Sequence, residues 1–290
     1  MTDSNLVRRV GFAIAAIPVV LGLVWYGGLP LAGGLALTSA LGARELFDLA
    51  QRHEVRPARA IGAVSSAAIA PITYLVLVAA DIRAAVLVVW PYVAACWVIG
   101  VLTWALSARA PGQQPLAAVS VTLLAVAYTG VLPSFLLPIR HGGYPVRSWA
   151  GAWLVFFPLV VTWVGDTAAM FGGRAMGGPK LAPTISPGKT RSGGVAGVLG
   201  GLAVAPLFGA LIFPRVGISI PFWQLLTMAG VLAVIGQVGD LAESLLKREA
   251  GVKDSSHLIP GHGGVLDRLD SLYFVIPVAA GLYRLFGIIR

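Results

Sequence analysis

Apolar residues run in long blocks along this chain, and polar residues gather in the gaps between them. A helix that crosses a bilayer needs about 20 mostly apolar residues. Nine blocks meet that requirement, at 8–26, 30–50, 59–79, 84–106, 115–139, 150–172, 193–213, 221–246 and 269–288. The pattern predicts an all-α, polytopic integral membrane protein of about nine transmembrane helices. The first block is too long for a signal-peptide core and follows basic residues, so it reads as an uncleaved span. An N-terminal membrane region of about five spans, 1–145, then precedes a C-terminal region of about four spans, 146–290, which contains the two longest polar connections.

Composition agrees with the pattern. Of 290 residues, 57% are hydrophobic and 11% charged, against about 45–50% and about 25% in soluble domains. With a mean hydropathy of +0.85, a water-soluble globular domain and a disordered chain are both excluded. The net charge of +9 would suggest nucleic acid in a soluble protein. No basic run here is interleaved with aromatic residues in a soluble segment, so a nucleic-acid partner is not expected.

The 21 basic residues instead report topology. Fourteen of them lie on the N-terminal side of the nine spans and six on the other, with Arg44 inside a span. Cytoplasmic loops collect Lys and Arg, so the N-terminus is expected in the cytoplasm. The same assignment puts connections 173–192 and 247–268 on one cytoplasmic face. Trp25, Trp90, Trp149 and Trp223 fall near span ends, where interfacial aromatics sit. The single cysteine, Cys96, cannot form an internal disulfide or a cysteine zinc site; it reads as a small buried apolar residue. Gly193, Gly197 and Gly201 recur every four residues, the spacing of a helix-packing face. No internal repeat of the kind found in many transporters is visible.

Chemistry concentrates in the second half. Of twelve acidic residues, seven lie from Asp166 onward: Asp166, Asp240, Glu243, Glu249, Asp254, Asp267 and Asp270. An ionisable group inside an apolar span is costly and points to function. Asp240, Glu243, Ser244 and Lys247 follow i, i+3, i+4, i+7 and share one helix face. Asp267 and Asp270 open the last span. Carboxylates at two helix ends, joined by a Gly-rich loop, suit a hard cation such as magnesium, with phosphate oxygens completing its shell. The alternative is a set of intramembrane ion pairs, such as Asp240 with Lys247.

The loop before the last span contains Gly261, Gly263 and Gly264, bracketed by His262 and Asp267. Its backbone N–H groups can form an anion-binding nest; a merely flexible connector is the bland alternative. The other loop supplies Arg174, Lys180, Lys189 and Arg191 with Ser186, Thr190 and Ser192, donors suited to phosphate. Pro179, Pro183 and Pro187 predict an ordered, non-helical path there. Retention of positive charge on the inner face competes with that reading. Gly188-Lys189-Thr190 looks like the end of a P-loop, but Pro183 stands where its first Gly belongs and no strand is expected before it.

Ser244-Leu245-Leu246-Lys247-Arg248, Lys253-Asp254, His262-Gly263-Gly264 and Asp267-Arg268-Leu269-Asp270 together resemble the signature of the phosphatidate cytidylyltransferase (CDP-diacylglycerol synthase) family. The match runs over the 27 positions 244–270. Gly165-Asp166-Thr167-Ala168-Ala169, Gly172-Gly173-Arg174 and Ile185 to Thr190 resemble the family's second cytoplasmic motif. Met170 stands where the family usually has an aromatic residue, and Ser192 where it usually has Glu.

The resemblance implies transfer of CMP from CTP to phosphatidate, giving CDP-diacylglycerol and pyrophosphate for phospholipid biosynthesis. It implies Asp240 and Asp267 as metal ligands for Mg2+, with room for a second cation. Asp240, Asp267, Asp270, Lys247, Arg248 and His262 are the implied catalytic residues. Asp166, Ser186, Lys189, Thr190, Ser244, Lys253, Gly263, Gly264 and Arg268 are the implied substrate-binding residues. The partners are CTP, phosphatidate and membrane lipids, and a homodimer is an open expectation. The location is the cell (inner, plasma) membrane, with the site facing the cytoplasm. A cytidylyltransferase for another lipid phosphate and a secondary transporter are the alternatives.

Overall fold

The structure is a computed structural model that describes residues 3–259, 261 and 263–289, with side chains from 14 onward except 15 and 80. Every one of the nine apolar blocks lies on helix. They are α1 (Asp3–Tyr26), α2 (Gly28–Gln51), α3 (Arg59–Val78), α4 (Ala80–Ala108), α5 to α7, α8 (Trp149–Met176), α9 with α10, α11 (Phe222–Glu249) and α12 (Leu266–Leu285). The fifth block comprises α5 (Pro115–Ala125), a π-helical turn at Val126–Val131, α6 (Leu132–Ser134) and α7 (Leu136–His141). The seventh comprises α9 (Arg191–Leu202), α10 (Val204–Leu207) and a second π-helical turn, Phe208–Ile212.

Among the described residues six helical stretches are long and apolar enough to cross a membrane. The protein is thus an all-α polytopic membrane protein. α1, α2 and α12 fall outside the six; α1 contributes only the shorter apolar stretch Ala16–Tyr26, α2 carries Arg44, Glu45 and Asp48, and α12 carries Asp267, Arg268, Asp270 and Arg284.

One expectation about the loops needs correction. The connection 173–192 contains an antiparallel hairpin of β1 (Lys180–Ala182) and β2 (Ser186–Thr190), paired Lys180 to Thr190 and Ala182 to Ser186. The prolines enforce an ordered path, as expected, but that path is extended enough to pair. A strand thus does precede Gly188-Lys189-Thr190, contrary to expectation, and these residues themselves lie in β2; Pro183 still breaks the P-loop pattern.

By internal packing the chain forms two units. The first comprises Met1–Leu23, Gly28–Leu137 and Ala250–Arg268. In it α2 lies against α3, where Gly62 makes room for the ring of Phe47. Val101, Ala105 and Val119 form a small core with Ile61, Trp97, Trp104 and Leu123 around it. The Thr122 hydroxyl accepts from the Ala58 N–H at 3.0 Å and donates to the Ala118 carbonyl at 2.8 Å, so the polar atom is satisfied inside the apolar layer. α4 is apolar on all sides and only 6% of its hydrophobic window is buried in the protein. Its outer surface is exposed and apolar, as a lipid-facing helix requires. Cys96 lies there, exposed, and not in the core as expected; in a membrane the solvent for an apolar side chain is hydrocarbon, so nothing drives it inward.

The second unit comprises Val24–Gly27, Pro138–Glu249 and Leu269–Arg290. Its organising contact is α8 on α9. The buried residues of α9 are Gly193, Gly197 and Gly201, as the spacing predicts. A Cβ on Gly193 would stand 2.7 Å from the Ala169 carbonyl, and one on Gly197 3.1 Å from the Gly165 carbonyl. Trp153, Phe156, Phe157, Phe208 and Phe213 interlock beside it with centroids 5.2–5.9 Å apart, favourable edge-to-face spacing. Fully buried Arg140 donates to the carbonyls of Val24, Trp25 and Pro145 at 2.6–3.0 Å, satisfying orphan carbonyls at the end of α1.

Candidate active site

In the second unit the polar cluster starts from α11. Asp240, Ser244 and Lys247 lie on one face of this helix, as their spacing requires. The Ser244 hydroxyl donates to Asp240 Oδ1 at 3.3 Å. Lys247 is buried and pairs with buried Glu243 at 3.1 Å. The Asp240–Lys247 pair considered from sequence is not formed. Asp240 pairs instead with Lys189 of β2, Oδ2 to Nζ 2.5 Å.

Two more carboxylates complete the cluster. Asp166 on α8 and Asp270 on α12 each lie within electrostatic reach of Asp240 and Lys189. The Ser271 N–H donates to Asp270 Oδ1 at 2.6 Å. Asp166 is exposed from an apolar helix. Four carboxylates, counting Glu243, thus share the region with the ammonium groups of Lys189 and Lys247, and negative charge is in excess.

The hairpin and α9 hold Lys189 in place. Thr190 is the N-cap of α9, its hydroxyl accepting from the Gly193 N–H at 3.1 Å. Ser192, at the position where the family usually has Glu, lies 3.0 Å from that hydroxyl and donates to the Gly177 carbonyl. Ser186 begins β2, and Arg248 donates to the neighbouring Ile185 carbonyl at 3.1 Å. Gln237 joins α11 to α9 by donating to the Gly194 carbonyl at 3.0 Å.

The signature loop belongs to the first unit. Gly261 and Gly263 have positive φ, 74° and 82°, which glycine adopts without steric cost. Asp267 Oδ2 accepts from the N–H groups of Ser255 and Gly264 and from the Ser255 hydroxyl, each at 2.8 Å. The nest read from the sequence therefore exists, but in this structure the chain's own carboxylate fills it. Lys253 and Arg268 are exposed. His262 lies outside the described residues.

The sequence reading missed Glu45, in the half that appeared to carry little chemistry. It is 4% exposed and lies within hydrogen-bond distance of four donors of the signature loop and the start of α12. The Ser256 hydroxyl and Val265 N–H donate to Oε1 at 2.7 and 2.9 Å. The Leu266 N–H donates to Oε2 at 2.9 Å, and the Ser255 hydroxyl, whose single hydrogen is shared with Asp267 Oδ2, lies 2.9 Å from it. The signal was present: Glu45 is an ionisable residue inside an apolar block, the criterion that singled out Asp166.

Among the described residues no three His, Cys, Asp or Glu side chains converge as a ready-made metal cage. Magnesium does not demand one, since it uses one or two carboxylates and takes its other oxygens from water and substrate phosphates. The excess of carboxylate over ammonium around Asp240, with a cation already seated on its Oδ2, is the donor chemistry such an ion requires.

Comparison with known proteins identifies the family. Residues 7–286 match the Cytidylyltransferase family. A phosphatidate cytidylyltransferase of Brucella suis is 34% identical over 286 residues, 99% of this chain and 94% of that protein. The enzyme of the same name from Bacillus subtilis is 42% identical over 165 residues, 57% of this chain and 58% of its own length. That of Haemophilus influenzae is 40% identical over 167 residues, 55% and 56% of the two chains.

Proposed function

The chain belongs to the cytidylyltransferase family, and from that premise we propose how it makes CDP-diacylglycerol. It is a membrane enzyme that transfers CMP from CTP to phosphatidate and releases pyrophosphate. The observation that carries the mechanism is the Lys189–Asp240 pair inside a cluster of carboxylates and ammonium groups.

A phosphatidate phosphate oxygen attacks the α-phosphorus of CTP. The new P–O bond forms as the bond to the β-phosphate oxygen breaks, and the electron pair leaves with pyrophosphate. A phosphate monoester is already anionic at neutral pH, so the reaction needs little base catalysis. Positioning and charge neutralisation supply most of the acceleration. Lys247, Arg248, Lys253 and Arg268 offset charge on the leaving pyrophosphate. Lys189 guides the triphosphate from its seat on Asp240. Asp240 and Asp267 are the proposed ligands for magnesium, as the signature implies; when bound, the ion neutralises phosphate charge. The excess of carboxylates leaves room for a second cation.

CTP enters from the cytoplasm and the lipid from the bilayer. The proposed orientation, with the N-terminus and both motif loops on the cytoplasmic side of the plasma membrane, follows the distribution of Lys and Arg.

The test uses purified protein in detergent with phosphatidate and magnesium. Label from CTP should enter lipid, ATP, GTP and UTP should label poorly, and a chelator should stop the reaction. No labelling by folded protein, with several lipid phosphates tried, would overturn the proposal.

A further inference from the structure

We infer that Glu45 is a positioning residue of the reaction: its carboxylate, on α2, fixes the signature loop and the first turn of α12 in the shape that presents Asp267. The inference rests on the proposed function for its kinetic part and on geometry alone for its structural part.

The geometry is specific to a carboxylate. Each oxygen of Glu45 faces one hydroxyl and one backbone N–H. A hydroxyl can turn to accept, but a backbone N–H can only donate. A glutamine at this position would aim its NH2 at the N–H of either Val265 or Leu266, whichever way the amide is turned. Both N–H groups belong to residues that are buried and stand at the start of α12, where no intrahelical partner exists. Glu45 is thus an N-terminal cap supplied from more than 200 residues away in sequence.

Glu45 and Asp267 also share one group. The Ser255 hydroxyl lies 2.9 Å from Glu45 Oε2 and 2.8 Å from Asp267 Oδ2. It has one hydrogen and serves one carboxylate at a time, so moving either carboxylate frees the hydroxyl for the other. Gly264 explains itself here as well. A Cβ at that position would collide with Ser255 Oγ and both oxygens of Glu45, so its lack of a side chain is what lets Glu45 reach the backbone.

The test is hydrogen exchange on the full-length protein in detergent without substrate, paired with kinetics. In Glu45→Gln the amide of Val265 or Leu266, whichever the NH2 faces, should exchange faster by about tenfold or more, the effect of leaving a buried donor without its acceptor. Exchange in α8 and α9 should not change. KM for CTP should rise and kcat should fall together. Glu45→Asp, which keeps two acceptor oxygens, should recover part of both losses. Exchange unchanged at Val265 and Leu266, or a kcat loss that only tracks the folded fraction with KM constant, overturns the inference. If Glu45→Gln does not fold, Ser256→Ala decides: it removes one of the four donors, and wild-type exchange and kinetics in that variant overturn the inference too. Failure of the wild-type protein to use CTP would remove the proposed function, and the exchange result would still decide what Glu45 does.

Discussion

Lys189 and Asp240 are 51 residues apart in sequence, yet their charged groups meet at 2.5 Å. Each is about 28–29% exposed at its side chain, so the pair is neither sealed in the protein nor freely solvated. In the proposed mechanism a triphosphate entering this region competes with Asp240 for Lys189.

Replacing Lys189 with Ala should therefore raise KM for CTP by about tenfold while kcat falls less, since a partly exposed charge contact is worth roughly 1–2 kcal/mol. Steady-state kinetics at saturating phosphatidate measures this. An unchanged KM would leave Lys189 as a charge that only sets topology.

Asp267→Asn separates two roles. A single amide oxygen can occupy the place of Oδ2 and keep the donors from Ser255 and Gly264, while the negative charge is lost. Turnover should drop by about 100-fold or more, with amide exchange in 255–264 preserved and membrane insertion intact. Near-normal turnover at saturating magnesium would remove Asp267 from the metal site.

Glu243→Ala takes the counter-charge from buried Lys247. Breaking a buried ion pair on one side costs about 3–5 kcal/mol. A fall in the thermal unfolding midpoint in detergent, larger than that of any exposed charge replacement such as Glu249→Ala, is the expected result.

Two glycine substitutions should differ sharply. In Gly193→Ala the new Cβ meets the Ala169 backbone at 2.7 Å, which α8 and α9 relieve only by moving apart, at a cost of about 1–3 kcal/mol. Gly188→Ala meets nothing within 4 Å and should leave stability unchanged. Unfolding midpoints of the two variants check both.

Much of this arrangement can be read from the sequence. Hydropathy alone locates all nine helical blocks, because a bilayer permits little else for an apolar run of that length. The four-residue spacing of Gly193, Gly197 and Gly201 gives the packing face, and the i, i+4 spacing of Asp240 and Ser244 gives their hydrogen bond. These are local periodicities, set by the geometry of one helix.

What escapes is partnership at a distance. Nothing local distinguishes Lys189 from the other basic residues of its loop as the partner of Asp240. Glu45 has no motif around it, and its four donors lie in a loop more than 200 residues later. The hairpin is hidden by prolines, which reduce strand propensity in general but are tolerated in a two-stranded ribbon with open edges. Cys96 is misplaced for a different reason. Burial rules learned in water do not say which apolar side chains face lipid.

The N-cap at Thr190 has a consequence for the residue before it. Thr190 is tied to Gly193, its neighbour Ser192 is tied to Gly177, and the adjoining face of α9 is fastened to α8 through glycines. The backbone of Lys189 is therefore moored at a fixed distance from α11. Whatever exchange of partners its ammonium makes must be carried by the side chain alone, swinging on its methylenes like a boom from a fixed mast. Its travel is set by the length of a lysine, and an arginine or ornithine analogue at this position would change how far the charge reaches without changing where it is anchored.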